Sequence, residues 1–298
     1  MAVASPPPPR LRRLLLAAVV ALRPVEWIKN LFVLAPLLFG GHIARGSAVI
    51  EVLLAAAAFC AISSAGYLIN DVLDVELDRR HPVKRFRPIA AGELPRGMAI
   101  GLAIALTAGA VAIAAAVGAD VAGVVLGYGL LTVTYSLLLK HLVILDVMAI
   151  AGCFLLRVLG GSLAAGVTAS SWLLFCTGML SLFLGFTKRR QEAVREIDGQ
   201  RPTRMVLEHY SLPFLDQMVP LVTAGALLSY GIYAINSPLV GGRMLATVPV
   251  VLYGLFRYLY LIYAREEDRD TAALVTSDPG LIATMVTWVG LVALLLYL

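Results

Sequence analysis

Charge is what this chain has least of: Asp, Glu, Lys and Arg together make up 14% of its 298 residues, against 60% hydrophobic. So few charges exclude a soluble globular enzyme and indicate a polytopic membrane protein. Cysteine is scarcer still. Cys60, Cys153 and Cys176 all lie in apolar stretches and none forms a CxxC pair, which excludes a disulfide framework and a zinc site. No GxSxG, HExxH, P-loop or dinucleotide fingerprint occurs, so serine hydrolase, zinc peptidase and P-loop chemistry have no support. The net charge of +5 is spread by membrane side and not gathered in one soluble module, which excludes nucleic acid as a partner.

What is present is apolar sequence in long runs. A bilayer core takes about 20 apolar residues per helical span, and nine runs qualify, at 26–44, 49–69, 98–117, 121–139, 142–165, 170–187, 217–236, 244–263 and 279–297. The expectation is an all-α fold: a single unit over 1–298, with nine transmembrane helices enclosing a central cavity open to the cytoplasmic side. Leu11 to Leu22 precede them as a short amphipathic surface helix. Of the 24 Lys and Arg, Arg157 and Arg257 fall inside spans and Arg45 and Arg243 on one side; all others collect on the opposite side. The basic side is the inner one. The N-terminus is therefore cytoplasmic, as are the long polar connections 70–97, 188–216 and 264–278.

The stretch from Asn70 to Arg87, NDVLDVELDRRHPVKRFR, holds the densest chemistry. Asp71, Asp74 and Asp78 are three and four residues apart, so on a continuing helix they share one face. Three such carboxylates repel unless a divalent cation sits between them, and hard oxygen ligands suit Mg²⁺, which commonly also holds substrate phosphates. Arg79, Arg80, Lys84, Arg85 and Arg87 follow within the same loop. Acids for a metal beside bases for an anion make a receptor for a metal-bound diphosphate. The plain alternative is a solvated, positively biased loop. Against it stand Asn70 and Asp71 directly after an apolar run, and Pro82 and Pro88, which restrict the loop's shape.

Other constellations are weaker. Arg23-Pro-Val-Glu-Trp-Ile-Lys29-Asn30 places two cations and an amide at the inner interface, where Trp27 and Lys29 also serve as ordinary anchors. Tyr135, Ser136 and Lys140 follow the fourth span. Asp146 and Arg157 lie inside the fifth, about three helical turns apart and so on one face. Charges at membrane depth face a bundle interior or a hydrated cavity; a structural ion pair to other helices is the alternative. After the sixth span, Lys188, Arg189 and Glu192 are within helical reach of one another and supply a cation and an acid level with Asp71.

Together these residues resemble the UbiA superfamily of intramembrane prenyltransferases, whose NDxxDxxxD signature Asn70, Asp71, Asp74 and Asp78 match without a gap. The family's usual second aspartate-rich motif is replaced by KRRQE at Lys188 to Glu192. With RPxxWxKN at 23–30, HPxKRxRPIAxG at 81–92 and YSxxLK at 135–140, the pattern is similar to the decaprenyl-phosphate phosphoribosyltransferase branch. That resemblance implies Mg²⁺ on Asp71, Asp74 and Asp78, with Asn70 assisting. It implies 5-phosphoribosyl diphosphate as donor and a polyprenyl (decaprenyl) phosphate as acceptor, in a bacterial inner (plasma) membrane. Lys84, Arg85 and Arg87 are then candidates for the donor phosphates. Lys29, Lys188 and Arg189 are candidates for the 5-phosphate or lipid phosphate, while Tyr135, Lys140, Asp146 and Arg157 line the cavity and Glu192 joins the second cluster. The connections 70–97 and 188–216 would cap the site. An aromatic prenyltransferase and a lipid transporter stay open as alternatives, and so does homo-oligomerisation.

Overall fold

The computed structural model describes residues 10–40, 46–197, 205–237, 239–264 and 271–297. Arg45, 198–204 and 265–270, all on expected connections, lie outside the described residues. Every described element is helical, as a chain that must satisfy its backbone hydrogen bonds within hydrocarbon requires. Helix α1 (Arg10–Leu22) leads through a 3₁₀ segment (Pro24–Leu34) to a short α2 (Ala35–Phe39). Then come α3 (Gly46–Leu73), α4 (Val75–Arg80), α5 (Arg96–Val117), α6 (Ala119–Leu137), α7 (Leu145–Ala164), α8 (Ser171–Ile197) and α9 (Leu212–Ile235). The chain closes with α10 (Val248–Ala264), α11 (Thr271–Ser277) and α12 (Pro279–Tyr297).

Among the described residues, eight helices are long and apolar enough to cross a membrane, not the nine expected. The run at 26–44 is the exception. Arg23, with φ 54°, and Pro24 break the chain away from α1, and the 3₁₀ form takes over. Its period of three residues per turn puts Trp27, Asn30 and Val33 in one line. Each meets the bundle: Trp27 Nε1 donates to Ser64 Oγ at 3.0 Å, Asn30 Nδ2 to Cys60 Sγ at 3.1 Å, and Val33 is fully buried. An α-helix would rotate these three off that line. At about 2.0 Å per residue in the 3₁₀ part and 1.5 Å in α2, the segment is about 30 Å long, the thickness of a hydrocarbon core.

Helix α7 links the two largest cores. It touches α3, α6, α8, α2 and the 3₁₀ segment. Its Val147 belongs to the core of α8 to α12, and its Ala164 to the core of α2 to α6. Large apolar side chains point outward, with Ile104 65%, Leu130 70%, Leu228 66% and Val286 68% exposed. A water-facing surface of this kind would aggregate, whereas a lipid-facing one is at rest. The protein is thus a multi-pass membrane protein.

The close approach of the 3₁₀ segment to α7 depends on Gly161. A Cβ there would stand 2.0 Å from the Val33 carbonyl oxygen, a backbone atom that cannot turn aside. Gly161→Ala should therefore lower stability by about 1–3 kcal/mol through overpacking, read as earlier thermal loss of the monodisperse species in detergent. Gly123→Ala, where a Cβ meets nothing within 4 Å, should show no such loss.

Candidate active site

The acid cluster forms where α3 ends. Backbone bonding continues across the break, Asp74 N to Asn70 O at 2.9 Å and Asp78 N to Asp74 O at 2.8 Å, so the turn at Asp74 barely redirects the chain. Asp71 and Asp78, 2% and 3% exposed, converge. One Arg87 nitrogen donates to both, to Asp71 Oδ1 at 3.1 Å and Asp78 Oδ2 at 2.7 Å. Arg23 Nη2 donates to the same Asp71 oxygen at 2.6 Å. Asp74 turns aside and accepts from Lys140 Nζ at 2.7 Å. Of the three carboxylates expected on one helix face, Asp71 and Asp78 share Arg87 while Asp74 pairs with Lys140.

Among the described residues no three acid, histidine or cysteine side chains form a ready metal cage. The Asp71–Asp78 pair nonetheless has the chemistry for one. Its hard oxygens already share a positive centre, and carboxylates this buried require a counter-cation. Asn70 is half-buried on the last turn of α3. Lys84 is half-buried, and Arg85 is exposed with its guanidinium over the Phe86 ring at 4.8 Å. These two cations lie on the loop that carries Arg87 to the acids. His81 shapes that loop: its Nδ1 accepts from Val83 N at 3.1 Å and Lys84 N at 3.2 Å. Burial, reinforced by Lys84, pushes its pKa below the ordinary 6.5.

A second network joins α7 to α8 and the 205–211 connection. Asp146 is fully buried; Arg189 donates to its Oδ2 and Tyr210 Oη to its Oδ1, the latter at 2.7 Å. Arg189 also meets Glu192. The Tyr210 hydroxyl accepts from Ile144 N at 2.7 Å. Ile144 sits at φ 70°, a conformation costly for a β-branched residue. Asp146 and Arg189 are therefore engaged with each other here. Tyr135 is within electrostatic range of Arg189, and Lys188 is half-buried beside it. Lys29 pairs with Glu26.

Arg157 belongs to a third group. It shares α7 with Asp146 but bonds Asn30, Tyr128 and the Cys153 carbonyl instead. Three of the residues that hold these networks together escaped the sequence reading as site members: Arg23, Tyr128 and Tyr210. Arg23 stood in a noted motif, and its signal was the proline after it. Tyr128 and Tyr210 carried no spacing that marks them.

The profile of the UbiA prenyltransferase family matches residues 33–286. The chain belongs to the UbiA prenyltransferase family. It is an enzyme, a membrane transferase of that family. Among curated relatives of this UbiA protein, decaprenyl-phosphate phosphoribosyltransferase of Corynebacterium glutamicum is 37% identical over 220 residues, covering 72% of this chain and 66% of the relative. The enzyme of the same name from Mycolicibacterium smegmatis is 33% identical over 291 residues, covering 93% and 91%. The solved UbiA homolog from Archaeoglobus fulgidus bound to GPP and Mg²⁺ shares the fold. Its TM-score is 0.73 at 18% identity, over 95% of this chain and all of that one.

Tyr210→Phe should cost about 1–3 kcal/mol by leaving the Ile144 N–H and a buried Asp146 oxygen without a partner, measured by thermal unfolding. For His81 the sign follows from its depressed pKa. The folded state favours neutral imidazole, so the contribution is complete above the unfolded value of 6.5 and is lost as pH falls through the folded pKa. The stability difference between wild type and His81→Ala should accordingly shrink on acidification from pH about 7.5 to about 5.

Proposed function

We propose that this UbiA enzyme moves 5-phosphoribose from 5-phosphoribosyl diphosphate to a polyprenyl phosphate and releases diphosphate. The single observation that carries the reading is the acid end of α3, where Asp71 and Asp78 share the Arg87 guanidinium and Arg23 and Lys140 complete the charge match. Asp71 and Asp78, joined by Asp74, would hold Mg²⁺, which when bound neutralises the donor diphosphate and makes it a better leaving group. Arg23, Arg87 and Lys140 contact the carboxylates, Lys84 lies on the loop that carries Arg87, and these cations would take up the phosphate oxygens of the donor. A phosphate oxygen of the acceptor forms a bond to the anomeric carbon, with inversion, as the bond from that carbon to the diphosphate oxygen breaks. The acceptor is already ionised. Positioning and charge stabilisation therefore carry most of the rate, with no general base required.

One observation favours this over prenyl transfer from a polyprenyl diphosphate. At the end of α8, where the family's second acid motif would stand, Arg189 is buried between Asp146 and Glu192. The relatives' names point the same way. In this reading the N-terminus and the acid cluster are cytoplasmic, and the 70–97 and 188–216 connections cover the site.

Asp71→Asn and Asp78→Asn should each lower transfer of radiolabelled phosphoribose to polyprenyl phosphate by about 10²-fold or more, measured per amount of folded, monodisperse protein. Mass spectrometry of lipids incubated with each donor decides between the classes. Product from polyprenyl diphosphate and an aromatic acid would replace this reading with prenyl transfer, and flux without product would replace it with transport.

A further inference from the structure

Among the described residues two arginines are buried, Arg157 and Arg189. Arg189 has its carboxylates, but Arg157, 3% exposed, meets none among the described residues. Its Nε donates to Asn30 Oδ1 at 2.7 Å, its Nη2 to Tyr128 Oη at 2.7 Å and its Nη1 to the Cys153 carbonyl at 3.2 Å. The rings of Tyr128 and Phe154 flank it at 4.7 and 5.2 Å. All of these partners are neutral. A guanidinium has five N–H groups, so three bonds leave two without a partner among the described residues. Keeping such a charge inside a membrane bundle costs several kcal/mol, a cost usually met by a functional counter-charge.

The position of Arg157 says what that counter-charge is. On α3, Cys60, Ser64, Tyr67 and Asp71 share one face. Cys60 accepts from the same Asn30 that holds Arg157, and Asp71 holds Arg23. One polar seam therefore runs from the acid cluster to Arg157, over eleven residues or about 16 Å of helix. Tyr67 stands between, half-buried, with the Arg23 guanidinium 4.8 Å from its ring centroid. Among the described residues its hydroxyl makes no hydrogen bond, and Arg157 is within electrostatic range of it.

We infer that this seam seats a phosphate monoester on Arg157 and the Tyr67 hydroxyl, and that the monoester is the headgroup of the isoprenoid acceptor. This rests on the reading above, in which the donor diphosphate occupies the acid end. A water-soluble donor reaches the acids from the loops. A phosphate tethered to a chain in hydrocarbon arrives from within the bundle, where Arg157 waits.

The test uses the full-length protein in nanodiscs and compares binding of farnesyl phosphate with that of farnesol. Wild type should prefer the phosphate, and Arg157→Gln should lose at least about tenfold of that preference, near 1.4 kcal/mol, while binding farnesol as before. Tyr67→Phe, which keeps the guanidinium and its neutral partners, should lose a smaller part and serves if the first variant does not fold. An undiminished phosphate preference in the folded variants overturns the proposal. So does loss of 5-phosphoribosyl diphosphate binding with the farnesyl phosphate preference intact, which would give the seat to the donor's 5-phosphate. Binding needs no turnover, so absence of phosphoribosyl transfer in wild type would remove the functional reading and leave this measurement to decide the seat by itself.

Discussion

The structure depends on one constraint: a carboxylate carried to the edge of an apolar bundle must meet a cation there. Asp71 and Asp78 are almost wholly buried, and they are tolerable because Arg87 folds back from the following loop and Arg23 reaches across from the 3₁₀ segment. Removing one partner of such a pair strands a charge at a cost of several kcal/mol. The 81–92 loop, the start of the 3₁₀ segment and the α6–α7 connection are therefore held to α3 by the same groups that would handle substrate. In the proposed reaction, stability and chemistry would draw on one set of side chains.

How much of this was legible in the sequence depended on the range of the interaction. The spans from α3 onward could be read from apolar run length because a bilayer sets that length directly. The acid cluster was legible for a similar local reason, since its members lie within eight residues of one another. The 3₁₀ form of 24–34 was not, because it arises from what Trp27, Asn30 and Val33 meet on α3 and α7, and an apolar run does not disclose its partners. The shared face of Asp146 and Arg157 was correctly placed, yet each found a different network. Periodicity fixes direction on a helix and leaves the neighbour unstated.

The two largest hydrophobic clusters lie in α2 to α6 and in α8 to α12, with α7 shared between them, and Phe39 of α2 crosses from one half to Tyr233 and Trp288 of the other. Asp146 at the start of α7 and Arg157 further along it are the polar points at which each half is tied to the shared helix. Tyr210, with Ile144 held at positive φ, fixes the connection between the halves at one end. Membership of the UbiA family agrees with this layout, since the solved homolog has the same fold at an identity too low for side chains to be inferred from it.

The 3₁₀ segment has a mechanical consequence. Its residues turn about 120° each, so inserting or deleting one residue would swing every downstream side chain a third of the way round the axis. Arg23 would keep its hold on Asp71 while Asn30 lost Arg157 and Val33 lost its seat against Gly161. The lipid-facing helices can vary freely along their outer surfaces. This short segment works as a keyed shaft whose teeth engage at both ends, and its length is among the least negotiable dimensions of the molecule.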